Sequence, residues 1–488
     1  MSDVGILQQK ESVYPDFPPF HPPDVFPEAP LNVGIDPRNE VYRSVRELFR
    51  LLGYDAGNFG TAGWNPLGWL IHPGETVFLK PNMISHKHRI NDDWDYVITH
   101  GSVIRAVADY VYIALQGRGT IIIGDAPQTD SLIDVIRERM GLDEICRLYA
   151  DRLHFPIELI DMRQTHHVDK DGIYVQTVQL AGDPRGSVNV DLKNHSMFAE
   201  LDEGRKIYYG ADYNWKETNE HHHKGRHEYA VSRSPLIADV FINLPKLKTH
   251  KKCGLTVNLK SMVGINANKN FLPHYVFGSP RAGGDQFERS SVRRSLENVV
   301  VRSSKKLLLK ELAWFKDVAR KTKRVGYEVF GDTEKVIRSG NWHGNDTVWR
   351  MSLDLNRILL YADANGIMHP ENPPRRYLSV VDGIAAMDGN GPVAGTRRET
   401  RLLIAGCDPV GVDTVSARLM GFDESKLPLI ARAYDAHAYR LFLGSPDEIN
   451  PLSNVPRWNR PLRAWRPDEQ LGFKPHFGWT GAIEWRDI

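Results

Sequence analysis

Residues able to bind or move charge crowd into one stretch, IADVFINLPKLKTHKKCGLTVNLKSMVGINANKNFLPHY at 237–275. It holds Lys246, Lys248, His250, Lys251, Lys252, Asn258, Lys260, Asn266, Lys269 and His274, and no acidic residue interrupts the run. Lysines and amides bind phosphate or carboxylate, whereas imidazoles transfer protons or ligate metals. Leu244, Leu247, Leu255, Val257, Leu259, Met262 and Val263 lie between the polar groups. A solvated loop has no use for that interleaving, but an anion site does, because low-dielectric walls strengthen each charge contact. A lysine desolvated among Leu247, Leu259 and Met262 would have its proton affinity lowered toward neutrality and could act as a base or amine nucleophile. The candidate catalytic residues are therefore Lys248, His250, Lys260 and His274.

These groups need elements to aim them. Val240–Leu244 reads as a buried strand, and Pro245, with no N–H to give, is expected to end it, leaving PKLKTH and GINANK as loops at the strand end. TVFLK at 76–80 reads as a second strand that delivers Lys80 and Asn82. Ile104, Val107, Ala108, Val111 and Leu115 recur at helical spacing, and TIIIGD at 120–125 is a third strand ending in Asp125. A strand–helix–strand unit crosses over right-handedly and makes a parallel pair. Ligands of parallel sheets sit outside the carboxyl ends of the strands. Lys80 and Asn82, Asp125, Lys246 and Lys248, Asp382 after YLSVV and Asp408 after LLIAG all fall at that end. Lys80, Asn82, Lys246, Asn266 and Lys269 are the candidate substrate-binding residues. Asp125 and Asp382, with His250 or His274, could hold a divalent metal. Asp408 reads instead as a helix cap, since Pro409 suits the first helical position and Val412, Val415 and Leu419 follow at helical spacing.

PKLKTH followed by the LKSMVG segment resembles the signature of the family known as domain of unknown function 362. VFLKPN at 77–82, IIIGDAP at 121–127, VVDGIAAMDGNGPVAG at 380–395 and DPVGVDTVSARLMGFD at 408–423 are similar to further segments of that family, in order. The resemblance implies an α/β fold and assigns no chemistry. Some members of the family resemble ferredoxin fusions with added cysteine motifs. This chain has only Cys146, Cys253 and Cys407, without cluster spacing, which speaks against an iron–sulfur cluster.

Composition narrows the function classes. With 41% hydrophobic and 25% charged residues the chain reads as an ordinary globular protein. A net charge of +1 offers nucleic acid no field, so any anion binding must be local. No long apolar run or signal segment is legible, and a cytoplasmic location is expected. The sequence has no P-loop, no dinucleotide glycine fingerprint, no G-x-S-x-G elbow and no C-x-x-C pair. The expected function is an enzyme acting on a small anionic metabolite by proton-transfer, isomerisation or redox chemistry, with a divalent metal as an optional cofactor. The alternative is a non-catalytic binding or scaffold protein for an acidic ligand. Approach of Asp125, Asp382 and His250 to within about 5 Å would favour the metal enzyme, and convergence of the lysines alone would favour binding.

The expected architecture is α/β, a mainly parallel doubly wound sheet with an antiparallel β insertion and a helical insertion. Residues 1–35 read as a Pro- and aromatic-rich arm, 36–150 as the first part of the core, and 151–235 as the β insertion. Residues 236–285 carry the core strand and site loop, 286–340 a basic helical insertion, 341–425 the rest of the core, and 426–488 an aromatic, Pro-rich tail that wraps it. The arm, with Tyr14, Phe17, Phe20 and Phe26, either lacks a fold of its own or packs on this subunit or a second copy, the last implying a homo-oligomer. YVQTVQL and SVNVDL around AGDPRG are expected to pair as a hairpin. His221, His222, His223 and His227 read as a structural or solvated cluster, because consecutive loop histidines cannot all face one ion. The basic amphipathic helix at 304–321 would cover the core or an interface, with contact to an anionic membrane as its other use. Asp346, ahead of a helix through Leu355, Ile358, Leu359 and Ala362, is either a cap or a site residue.

Overall fold

Alternation along the strands sorts their side chains onto two cores. Val77 and Leu79 belong to one and Phe78 to the other; Ile121 and Ile123 oppose Ile122, and Val240 and Ile242 oppose Phe241. Successive strand residues point to opposite faces, so strands apolar at nearly every position must be covered on both sides. Helices α1 (Glu40–Leu51) and α2 (Gly101–Leu115) cover one face, and α3 (Val348–Tyr361) and α4 (Pro409–Met420) the other. The fold is α/β, wound on both sides of a mostly parallel sheet.

The computed structural model describes residues 2–31, 34–170, 173–201, 207–212, 214–289, 335–442 and 444–486. The main sheet contains β1 (Ser2–Gln8), β2 (Thr76–Pro81), β3 (Thr120–Asp125), β4 (Glu158–Asp161), β5 (Val240–Leu244), β6 (Lys246–His250), β7 (Gly254–Thr256), β8 (Arg376–Asp388), β9 (Thr396–Gly406) and β10 (Ile449–Ser453). Its order is β10-β1-β9-β8-β5-β2-β3-β4, with β6 between β8 and β7. The β8-β5-β2-β3-β4 run and the β1–β10 pair are parallel, whereas β9 runs against both β1 and β8. Asn39 caps α1 and Asp408 caps α4, the latter accepting from the Val410 and Gly411 amides at 2.8 Å each. Pro409 opens α4, as its sequence predicts.

Three expectations change. Pro245 interrupts strand pairing without ending it: KLKTH is strand β6, parallel to β8 and antiparallel to β7, rather than a loop. The 1–35 arm begins with a strand, β1, whose Val4 and Ile6 are fully buried between β9 and β10. The expected hairpin takes other partners: Ile173–Gln179 pairs with Thr165–Lys170, and Ser187–Asp191 pairs with Arg226–Ser232. Short polar strands leave register weakly specified, so the turn sequence AGDPRG could not identify the partner. The helix expected at 304–321 lies outside the described residues.

Candidate functional site

The carboxyl ends of β2 and β3 and the face of β6 meet at a cavity of about 360 Å³. Lys80, Asn82, Asp125, Lys248, His250, Lys260, Lys269 and His274 line it. On β6 the period of two places Lys248 and His250 on one face while Leu247 goes to the core. The next turn is clamped from behind. Asp413 on α4 accepts from the Asn258 and Leu259 amides at 2.8 and 3.0 Å, and Asn258 Oδ1 accepts from Asn243, Tyr377 and Ser379. This network fixes the Asn258–Ser261 helical turn and thereby Lys260. Asn258 does not line the cavity; its Oδ1 serves this network, while its Nδ2 is buried without a partner among the described residues.

Four of the lysines at the cavity are held differently. Lys80 Nζ lies 3.0 Å from Asp125 Oδ1 and donates to Ser261 Oγ at 3.0 Å, while Asp125 Oδ2 accepts from the Met83 amide at 2.8 Å. Lys248 Nζ donates to the Val97 carbonyl at 2.7 Å. Lys269 Nζ donates to the carbonyls of Ala126, Asn266 and Val263 at 2.7, 3.2 and 3.3 Å. Lys260 has no hydrogen bond or ion pair among the described residues. Burial pushes Lys260 down to about 8 and Lys269 down to about 7, and holds Lys248 well below the ordinary lysine value; neighbouring lysines reinforce each shift, while Asp125 opposes it at Lys248 and Lys269.

Two imidazoles present opposite character. His274 Nδ1 meets the Leu272 carbonyl at 3.0 Å. A carbonyl only accepts, so Nδ1 carries the hydrogen and Nε2 is left as a lone pair. His250 Nδ1 accepts from the Lys252 amide at 3.1 Å, which leaves its hydrogen on Nε2 as a donor. Burial, with Lys260 among the cations adding repulsion, holds both well below the ordinary imidazole value, so both are neutral at pH 7. The cavity thus combines cations, one imidazole donor and one imidazole acceptor.

Other candidates lie elsewhere. Lys246 and Asp382 pair at 3.0 Å in a fully buried spot away from the cavity. Tyr14 of the N-terminal arm closes that spot, its hydroxyl bonded to both and its ring stacked on His100 at 4.1 Å. Lys246 is therefore a scaffold ion pair, not a substrate ligand. Asn266 turns its amide to the Asn268 carbonyl at 2.6 Å and does not line the cavity. The metal set fails as well, since Asp125 is spent on Lys80 and Asp382 on Lys246. Among the described residues no three His, Cys, Asp or Glu side chains come together to hold an ion. His221 pairs with Glu228 at 2.6 Å, and His222 meets the Phe271 carbonyl at 2.9 Å. Asp346 pairs with Arg350, and it is Asn345 that accepts the Thr347 and Val348 amides at the start of α3.

Sequence reasoning missed part of the wall. The insertion contributes Gly210, Asp212 and His167, the last two bonded at 2.6 Å, and Thr256, Gln128 and Arg89 also line it. No spacing in the sequence links His167 to Asp212. Gly264 has a physical signature: a Cβ there would lie 1.8 Å from Asp125 Oδ1. Asn82 Nδ2 and Thr256 Oγ1 are buried at the cavity without a hydrogen-bond partner among the described residues.

The family model described as domain of unknown function (DUF362) matches residues 192–418. That range includes β5 to β9 with Lys248, His250, Lys260, Lys269 and His274, while Lys80 and Asp125 come from outside it. No curated protein matches the sequence. Among the described residues no helix is long and apolar enough to cross a membrane.

Proposed function

We propose, for a chain whose residues 192–418 belong to the DUF362 family, that the cavity binds a small phosphate- or carboxylate-bearing metabolite and that the protein is an enzyme moving a proton on it, in an isomerisation or redox reaction. Lys260 carries this reading. Its ammonium sits on the wall of a cavity, buried and without a counter-ion among the described residues. A buried charge left unpaired costs several kcal/mol, which an anion would offset. Asn82 Nδ2 and Thr256 Oγ1 add unsatisfied polar atoms at the same wall. His274 Nε2 keeps a free lone pair at the wall; burial and the Lys252 and Lys260 charges hold its proton affinity down, and a bound anion that offsets those charges would raise it toward use as a base, with Lys260, at about 8, able to give a proton. No step is routed through a metal, because Asp125, Asp382 and His250 do not converge. A reducing, cytoplasmic setting belongs to the same reading, in keeping with three free cysteines.

Calorimetry with inorganic phosphate tests the anion site: binding to the wild type and its loss, by about tenfold or more, in Lys260→Met is the expected outcome. Absence of binding by both phosphate and malonate at millimolar concentration would remove the reading. The alternative, a non-catalytic binding protein, is what the criterion set from the sequence favours, since the lysines converge on the cavity while Asp382 is diverted to Lys246; the enzyme reading rests instead on the imidazole pair of His250 and His274 at the same wall. His274→Gln separates the two once a substrate is in hand. An enzyme should keep its affinity and lose about 10²–10⁴-fold in turnover, whereas unchanged turnover would take His274 out of the chemistry.

A further inference from the structure

The charges around the cavity do not balance, and the imbalance says what kind of anion fits. Lys80, Lys248, Lys260 and Lys269 come from four separate segments and are each nearly or fully buried. Asp125 neutralises Lys80 at 3.0 Å. Of the other lining carboxylates, Asp212 is bonded to His167 at 2.6 Å, and Asp130 is exposed at the rim. Lys248 and Lys269 are held by carbonyl oxygens, which solvate a cation without cancelling it. Lys260 lacks even that among the described residues.

We infer that the natural ligand carries at least two negative charges, on one group or on two close together, as a phosphate monoester, a diphosphate or a dicarboxylate does. The inference rests on the anion-site reading above and narrows it. A monoanion would meet one of these lysines, while a dianion can meet Lys260 and a second lysine at once and hold both in the charged form. Both charges must sit within a small volume, because about 360 Å³ is near the lower end for ligand cavities. Long polyanions are thereby excluded from entering whole. The neutral imidazole donor of His250 and the orphaned amide of Asn82 suit the remaining oxygens of such a group.

The test is a calorimetric series on the full chain at pH 7 and constant ionic strength, with acetate, malonate, inorganic phosphate and pyrophosphate as probes. Malonate or pyrophosphate should bind at least tenfold more tightly than acetate. Preference for pyrophosphate identifies a phosphate ligand and preference for malonate a dicarboxylate; either outcome supports the inference. Lys248→Met and Lys260→Gln should each weaken the preferred dianion about tenfold and acetate less. Acetate binding as tightly as malonate and pyrophosphate would overturn the dianion inference while leaving the anion site standing. No binding by any probe would overturn both. The ligand series uses only the wild type, so a variant that fails to fold leaves the test intact.

Discussion

Lys260 shows how burial changes what a residue type can do. A solvated lysine stays charged far above neutrality, but this one is pushed down to about 8 by desolvation. Between about pH 8 and the ordinary value of 10.5 the unfolded chain holds this proton while the folded chain has begun to release it. Rising pH therefore stabilises the ligand-free protein through this group, by at most about 1.4 kcal/mol per pH unit. Anion affinity moves the other way, because the ammonium is lost. From about pH 7 to about pH 9.5, malonate affinity should fall while wild-type stability in urea rises relative to Lys260→Met. Malonate keeps its charge over this range, so parallel behaviour of the two quantities would contradict the assignment. Type and apolar interleaving made Lys248, Lys260 and Lys269 legible as a cationic group in the sequence. Asn266 and Lys246 had the same credentials and do other work: Lys246 shares the strand parity of Lys248, but the neighbouring strand puts Asp382 against it, and Asn266 bonds the Asn268 carbonyl.

At the scale of elements, the site is a strand followed by tight turns. KLKTH puts Lys248 and His250 on one face through the strand period, and the turn at Met262–Ile265 brings Gly264 against the Lys80–Asp125 pair. A methyl at Gly264 would lie 1.8 Å from Asp125 Oδ1 and 2.7 Å from Lys80 Nζ. Gly264→Ala should thus cost roughly 1–3 kcal/mol in urea unfolding, as overpacking does, and weaken anion binding by displacing Lys80. Unchanged values of both would show that the pair is not tied to this turn. Helices were readable from spacing and caps, as with Asn39 and Asp408. β6 was not, because Pro245 is a strand breaker locally. It was overridden by the β8 ladder, in which the Asp382 amide still donates to the Pro245 carbonyl at 2.8 Å.

Across the whole molecule, distant parts of the chain support the site. Trp479 of the tail, buried, donates to the Lys251 carbonyl at 2.9 Å and so braces the turn after β6. Tyr14 reaches across 368 positions to Asp382 and also accepts from the Ala385 amide at 3.2 Å. Tyr14→Phe would leave the buried Lys246–Asp382 pair short of a hydrogen-bond partner. A loss of about 1–3 kcal/mol in stability is expected, with malonate affinity unchanged within about twofold because Lys246 does not line the cavity. A large drop in affinity without loss of stability would return Lys246 to the site.

Composition, spacing and the strand–helix–strand order were enough to establish the α/β class and to gather most of the lysines that line the cavity at the carboxyl ends of the strands. Those features are local, or follow from the handedness of crossovers. Only the tertiary structure decided which carboxylate served the cavity. Asp125 and Asp382 both follow strands, but β8 lies beside β6 and gives Asp382 to Lys246, while β3 lies beside β2 and gives Asp125 to Lys80. Strand neighbourhood depends on pairing between remote segments, and no periodicity within either segment encodes it.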